Sequence, residues 1–184
     1  MPAIVVPFRR EEPKRRLEAA PGEGQGTLPE AMLEDVLAAC EAVGRDIAIA
    51  TEGGQGEAVE AALREVDRGP VLVVNADLPC VRPRDLLTLL GALPEGGLAV
   101  VEAADGTTNA LALAAPHLFA PVYGPGSAER FRARATRLAV PSATPLIPNL
   151  ADDIDTLADL DRLEGRLGPY TTAALEELRA GLAR

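Results

Sequence analysis

The run Pro70-Val71-Leu72-Val73-Val74-Asn75-Ala76 constrains this chain most. A continuous apolar stretch of strand length, preceded by glycine and proline, fits a strand buried on both faces, and such a strand needs a helical layer above and below it. The rest of the chain supplies those layers. Short β-branched runs alternate with longer helical stretches, the pattern of an α/β domain on a largely parallel sheet. Strands are expected at Ala3 to Pro7, Asp46 to Thr51, Gly97 to Glu102, Thr108 to Ala114 and Thr136 to Val140. Helices are expected from Leu28 to Val43, through Val59, Ala62, Leu63 and Val66, from Pro83 to Leu90, through Arg134 after a Gly124-Pro125-Gly126-Ser127 turn, and over Leu157 to Leu167 and Thr171 to Leu182. A short helix fits Pro116 to Phe119, and the glycine-rich tract Pro21 to Gly26 reads as a loop. With no internal repeat and no linker, the expectation is one domain over residues 1–184, a three-layer sheet with helices on both faces.

Charge and cysteine content narrow the function classes. There are 28 acidic against 18 basic residues, a formal net charge of −10. Nucleic-acid binding needs a basic surface to displace counterions from phosphates, so it is not expected. Nor is a membrane span or signal peptide, since no long apolar run is present, and the expected location is the cytoplasm. Cys40 and Cys80 form no metal or redox spacing and read as small buried hydrophobes. Of the basic residues one is lysine, Lys14, and the only histidine is His117, which has no paired carboxylate motif. No GxxxxGK[ST] loop and no GxGxxG opening a helix is found, against a P-loop or dinucleotide-binding fold.

Five groupings could carry chemistry. Asp77 follows the central strand directly, at the carboxyl edge where open α/β sheets bind ligands. It can serve as a hard oxygen ligand for Mg²⁺ or as the N-cap of a following helix. In Asp153-Ile154-Asp155-Thr156, extended backbone would put both carboxylates on one face and Ile154 on the other. Two such charges suit a divalent cation, while Asp155 or Thr156 could equally cap the next helix. Gly124 to Ser127 can offer a hydroxyl and helix-start N–H groups to an anion, or simply cap a helix. Asp105-Gly106-Thr107-Thr108-Asn109 can be a hairpin turn or a loop presenting hydroxyl and amide groups to a phosphorylated ligand. Lastly, Lys14-Arg15-Arg16 is a basic knot suited to phosphate oxygens, or a solvated charge run.

Taken in order, Pro7, Lys14-Arg15-Arg16-Leu17, Ala31 to Leu37, Val74-Asn75-Ala76-Asp77-Leu78-Pro79, Gly106 to Leu111, Gly124 to Ser127 and Asp153 to Thr156 resemble the 2-phospho-L-lactate or phosphoenolpyruvate guanylyltransferases of coenzyme F-420 biosynthesis. The fold the resemblance implies is nucleotide-diphospho-sugar transferase-like, shared with molybdenum-cofactor guanylyltransferases. It implies transfer of a guanylyl group from GTP to a phosphorylated three-carbon acid, with Mg²⁺ on Asp77, Asp153 and Asp155. The acid would lie on Lys14, Thr108, Gly124 and Ser127, with Asp77 and Lys14 catalytic. The nucleotide would lie near Pro7, Arg9, Arg16 and Asn109, and a homodimer is compatible. Alternatives are another phosphorylated acceptor, such as molybdopterin or a sugar phosphate, although the glycine-rich loop expected for these after the first strand is missing, and a non-catalytic binding subunit. The chain also departs from the family pattern, with Arg9 where a lysine is usual and Gly56-Glu57-Ala58 where glycine-leucine-asparagine is usual.

Overall fold

The structure is a computed structural model that describes residues 1–8 and 28–182. The expectations for the basic knot at Lys14 to Arg16, for Arg9 and for the glycine-rich tract Pro21 to Gly26 lie outside the described residues.

Among the described residues six strands, β1 (Ala3–Pro7), β2 (Ile47–Ala50), β3 (Val71–Val74), β4 (Leu98–Glu102), β5 (Thr108–Leu113) and β6 (Ser142–Ala143), form one sheet in the order β2-β1-β3-β5-β4-β6. The helices are α1 (Leu28–Glu41), α2 (Gln55–Leu63), α3 (Pro83–Gly91), α4 (Ser127–Arg137), α5 (Pro148–Ala151), α6 (Leu157–Leu163) and α7 (Pro169–Leu182), with short 3₁₀ turns at Pro116–Leu118 and Glu164–Arg166. All four residues of β3 are buried, and alternate side chains enter opposite layers. Leu72 and Val74 pack with Val36 and Cys40 of α1, Leu86 and Leu89 of α3, and Leu150 of α5. Val71 and Val73 pack with Val59 and Leu63 of α2 and with Phe131 and Ala135 of α4. Both helical layers demanded by that strand are therefore present. A third cluster joins Met32, Cys80, Ile154, Leu160, Leu163 and Leu175, tying the C-terminal helices to α1.

The pairs β1–β2, β1–β3 and β4–β6 are parallel, but β5 runs antiparallel to both β3 and β4. Only residues 103–107 separate β4 from β5, too few for the crossover a parallel pair requires. They form the hairpin turn, in which Ala103 N–H donates to the Thr107 carbonyl at 2.9 Å and Gly106 takes φ +83°. Asp105 Oδ1 accepts from the Thr107 N–H and hydroxyl at 2.9 and 2.6 Å, fixing the turn locally.

The strand expected at Thr136 to Val140 is not formed. Thr136 and Arg137 complete α4, whose Thr136 hydroxyl donates back to the Arg132 carbonyl at 3.2 Å. Ala139 then adopts a left-handed φ of 53°, with Ala139 N–H on the Thr136 carbonyl and Val140 N–H on the Ala135 carbonyl. That paired closure is the Schellman arrangement. It seats Val140 against the α4 layer, which is what its apolar character signals. The pairing to β4 is instead made by Ser142 and Ala143. Helix α7 begins earlier than expected because the Asp35 carboxylate of α1 caps it, accepting from the N–H groups of Tyr170 and Thr171 at 3.1 and 2.8 Å. Among the described residues no helix is long and apolar enough to cross a membrane.

Candidate functional site

The reversal of β5 decides where the site lies. In the antiparallel pairing Val74 faces Ala110, so the start of β5 stands at the same sheet edge as the carboxyl end of β3. Asn75 N–H donates to the Asn109 carbonyl at 3.0 Å, continuing the ladder to that edge. Thr108 and Asn109 thus open β5 beside Asp77, which follows β3. Pro7, at the end of the parallel β1 and paired with Ala50, closes the same edge on the other side.

The two aspartate motifs, about 75 positions apart in sequence, converge there. Carboxylate oxygens of Asp77, Asp153 and Asp155 lie within 4.8 Å of one another. Ile154, fully buried in the third cluster, anchors the segment, and its N–H donates to the Asp77 carbonyl at 3.1 Å. The helix cap after it is Thr156, whose hydroxyl accepts the Asp159 N–H while the Asp159 carboxylate accepts the Thr156 N–H at 2.9 Å. Asp155 is not that cap.

Each acid in the run Asp152-Asp153 meets a different partner. Asp152 is paired with Arg166 and Arg162, at 2.7 and 3.2 Å. Asp153 accepts from the Asn109 side-chain amide at 3.3 Å, a neutral donor. Burial first, and then the charge of Asp77, push the Asp153 carboxyl above the ordinary aspartate range, with the Asn109 hydrogen bond acting the other way. Hard carboxylate oxygens crowded against their mutual repulsion are a donor set that fits a divalent cation such as Mg²⁺.

A second feature adjoins the acids. The Ser127 hydroxyl, first in α4, donates to the Thr108 hydroxyl at 3.0 Å, and both residues are buried. This bond ties the start of α4 to β5. The helix-start N–H groups read from the sequence as available to an anion are partly taken: Ser127 N–H donates to the Gly124 carbonyl and Ala128 N–H to the Gly106 carbonyl. Gly124 and Gly126 have φ of 103° and 70°, conformations other residues rarely adopt. Arg130 folds under this turn and donates to the carbonyls of Val122, Tyr123 and Pro125.

The structure therefore brings Asp77, Asp153, Asp155, Thr108, Asn109, Gly124 and Ser127 to one edge, while Lys14, Arg9 and Arg16 lie outside the described residues. Sequence reading gave no role of their own to Arg130 and Asn75. Asn75 donates to the Thr108 carbonyl at 3.1 Å and accepts from the Gln55 amide at 2.8 Å. The signal for Arg130 was available, because it has no acid three or four residues away on its helix. His117 is exposed and takes no part, and burial pushes the Cys40 thiol up to about 12 and the Cys80 thiol upward too, so both stay protonated.

No family model matches the chain. It is similar to the phosphoenolpyruvate guanylyltransferase of Sphaerobacter thermophilus, at 41% identity over 96 residues covering 52% of this chain and 46% of that protein. With the phosphoenolpyruvate guanylyltransferase of Streptomyces scabiei it shares 37% identity over 136 residues, 68% of this chain and 62% of the relative. The chain thus spans about half to three-fifths of the length of these curated relatives. Among solved structures, one from Desulfovibrio desulfuricans G20 assigned to the nucleotide-diphospho-sugar transferases matches with a TM-score of 0.69 at 18% identity, over 97% of this chain and 95% of that one. The 2-C-methyl-D-erythritol 4-phosphate cytidylyltransferase of Thermus thermophilus matches with a TM-score of 0.59 at 19% identity, over 90% and 98%. The fold is therefore nucleotide-diphospho-sugar transferase-like, and the resemblance read from the sequence is borne out.

Proposed function

We propose, taking the similarity to the phosphoenolpyruvate guanylyltransferases as premise, that residues 1–184 act as one guanylyltransferase domain. It joins GTP to phosphoenolpyruvate or 2-phospho-L-lactate with release of pyrophosphate, a step of coenzyme F-420 biosynthesis. The observation that carries this reading is the convergence of three carboxylates with a threonine-serine hydroxyl pair at one sheet edge. In the reaction a phosphate oxygen of the acid attacks the α-phosphorus of GTP, a new P–O bond forms, and the bond to the β-phosphate breaks as pyrophosphate leaves.

Both reactants are anions, and a phosphate monoester is already nucleophilic at neutral pH, so the work falls to positioning and electrostatics and no base is required. Asp77, Asp153 and Asp155 would hold Mg²⁺, which supplies charge neutralisation of the phosphates. Thr108, Gly124 and Ser127 orient the phosphorylated acid. The Ser127–Thr108 bond uses one of the two hydroxyl protons and leaves the other to donate to an anion. Lys14 adds a point charge for the same phosphate, and Pro7, Arg9, Arg16 and Asn109 border the nucleotide. The cytoplasm is the location this reading carries, since both substrates are soluble anions, and a homodimer is compatible with it.

The test incubates the protein with GTP, Mg²⁺ and either acid in parallel and measures pyrophosphate. Release with at least one acid is expected, and the faster of the two names the acceptor. Silence with both overturns the reading.

A further inference from the structure

Asn109 is buried, with 2% of its surface exposed, and its side chain reaches Asp153 of the acidic cluster. Its side-chain nitrogen holds two points on the segment that carries Asp153 and Asp155: the Ala151 carbonyl at the end of α5, at 3.2 Å, and Asp153 Oδ1, at 3.3 Å. One residue further on, Ile154 N–H reaches the Asp77 carbonyl. The segment is therefore clamped from β5 by a side chain and from the end of β3 by backbone, on either side of the Asp153 carboxylate.

The chemistry of the donor matters. The neighbouring Asp152 is held by two guanidinium groups, which cancel its charge. An amide orients a carboxylate without adding a countercharge to it. Carboxylates that bind metals are commonly oriented by such outer partners, and losing one typically weakens metal binding by about 10–100-fold.

We infer that Asn109 is a positioning residue that orients the Asp153 carboxylate for a divalent cation held with Asp77 and Asp155. This rests on the reading of those three acids as a cation site. It also gives Asn109 a task distinct from bordering the nucleotide, one that is measurable with no nucleotide present.

The experiment titrates the substrate-free protein with Mn²⁺ as the probe, by calorimetry and by the electron paramagnetic resonance of free Mn²⁺. Asn109→Leu, of similar size but without a donor, is expected to weaken Mn²⁺ binding about 10–100-fold. In an Asp153→Asn background the same change should alter affinity by no more than about twofold, because the partner it acts through is gone. Equal affinity of Asn109→Leu and the unsubstituted protein overturns the inference. So does an equally large loss in both backgrounds, which would mean that Asn109 acts by a general loss of structure. Should Asn109→Leu fail to fold by thermal melting, Asn109→Ser, which keeps a polar but shorter group, is put through the same cycle with the same expectations. If the unsubstituted protein itself binds no Mn²⁺, the acidic-site reading falls, a result distinct from failure of the Asn109 role alone.

Discussion

At Asp153, burial first and then the nearby charge of Asp77 hold the carboxyl above the ordinary aspartate range, so ionising it costs the folded chain more than the unfolded one. Asp153→Asn should therefore raise the thermal midpoint of the metal-free protein, while abolishing the rise that the proposed cation site predicts for the unsubstituted chain in millimolar Mg²⁺. Scanning calorimetry with and without Mg²⁺ checks both, since a ligand that binds only the folded state stabilises it. With Asp77 holding the cation as proposed, Asp77→Asn should leave the fold intact and cut pyrophosphate release by at least about 10–100-fold, the loss typical of an outer partner alone. Arg130 contributes differently. Its three hydrogen bonds go to carbonyls of the 122–125 turn, so Arg130→Ala should loosen the turn that presents Gly124 and Ser127. The expected result is a KM for the phosphorylated acid raised about tenfold, with kcat nearly unchanged, read from initial rates.

Among the elements, α6 and α7 depend most on single side chains. The Asp159 carboxylate accepts from the Thr156 N–H and hydroxyl and from the Asp155 N–H. Burial pushes its carboxyl up, but these hydrogen bonds outweigh that and hold it below the ordinary aspartate range. A lowered folded value means the ionised cap stabilises the folded state above the ordinary aspartate pKa, and this contribution is lost as pH falls through the lowered value. The gap in thermal midpoint between the unsubstituted protein and Asp159→Asn should accordingly close on acidification below about pH 4. Helix α7 is capped by Asp35 of α1, and a Cβ on Gly168 would run into that carboxylate. Gly168→Ala should cost roughly 1–3 kcal/mol, the range for overpacking, measured as a shift in the urea midpoint. Gly56 sets a similar limit for α2, where an added Cβ would stand 2.8 Å from Pro121 Cα. Its close approach gives a structural reason for glycine here, just before the two positions, Glu57 and Ala58, that depart from the pattern of the resemblance.

For the whole molecule, the net charge of −10 is spread over partners of different kinds: Asp152 with arginines, Asp35 on a helix start, Asp105 within a turn, and three aspartates gathered at one edge. Much of this was legible in the sequence. The doubly buried β3, the helix faces of α1 and the pairing of Asp153 with Asp155 follow from periodicity, because side-chain direction is a local consequence of backbone geometry. The hairpin turn at Asp105-Gly106 was legible for the same reason. The failed strand at Thr136 to Val140 was not, since β-branched and apolar residues close to a helix end satisfy a Schellman closure as readily as a strand. Nor could local pattern reveal that Asp35 caps a helix some 135 positions away, or that Asn109 reaches Ala151 and Asp153. The sequence by itself determined the elements, their buried faces and the residue types fit for binding phosphate and metal, because these depend on neighbours a few positions apart. Only the tertiary structure decided that β5 runs against β3, and with it that Thr108, Asn109, Ser127 and the three aspartates share one edge. That assembly depends on contacts between distant segments, whose strength comes from burying β3 between two helical layers rather than from any local propensity.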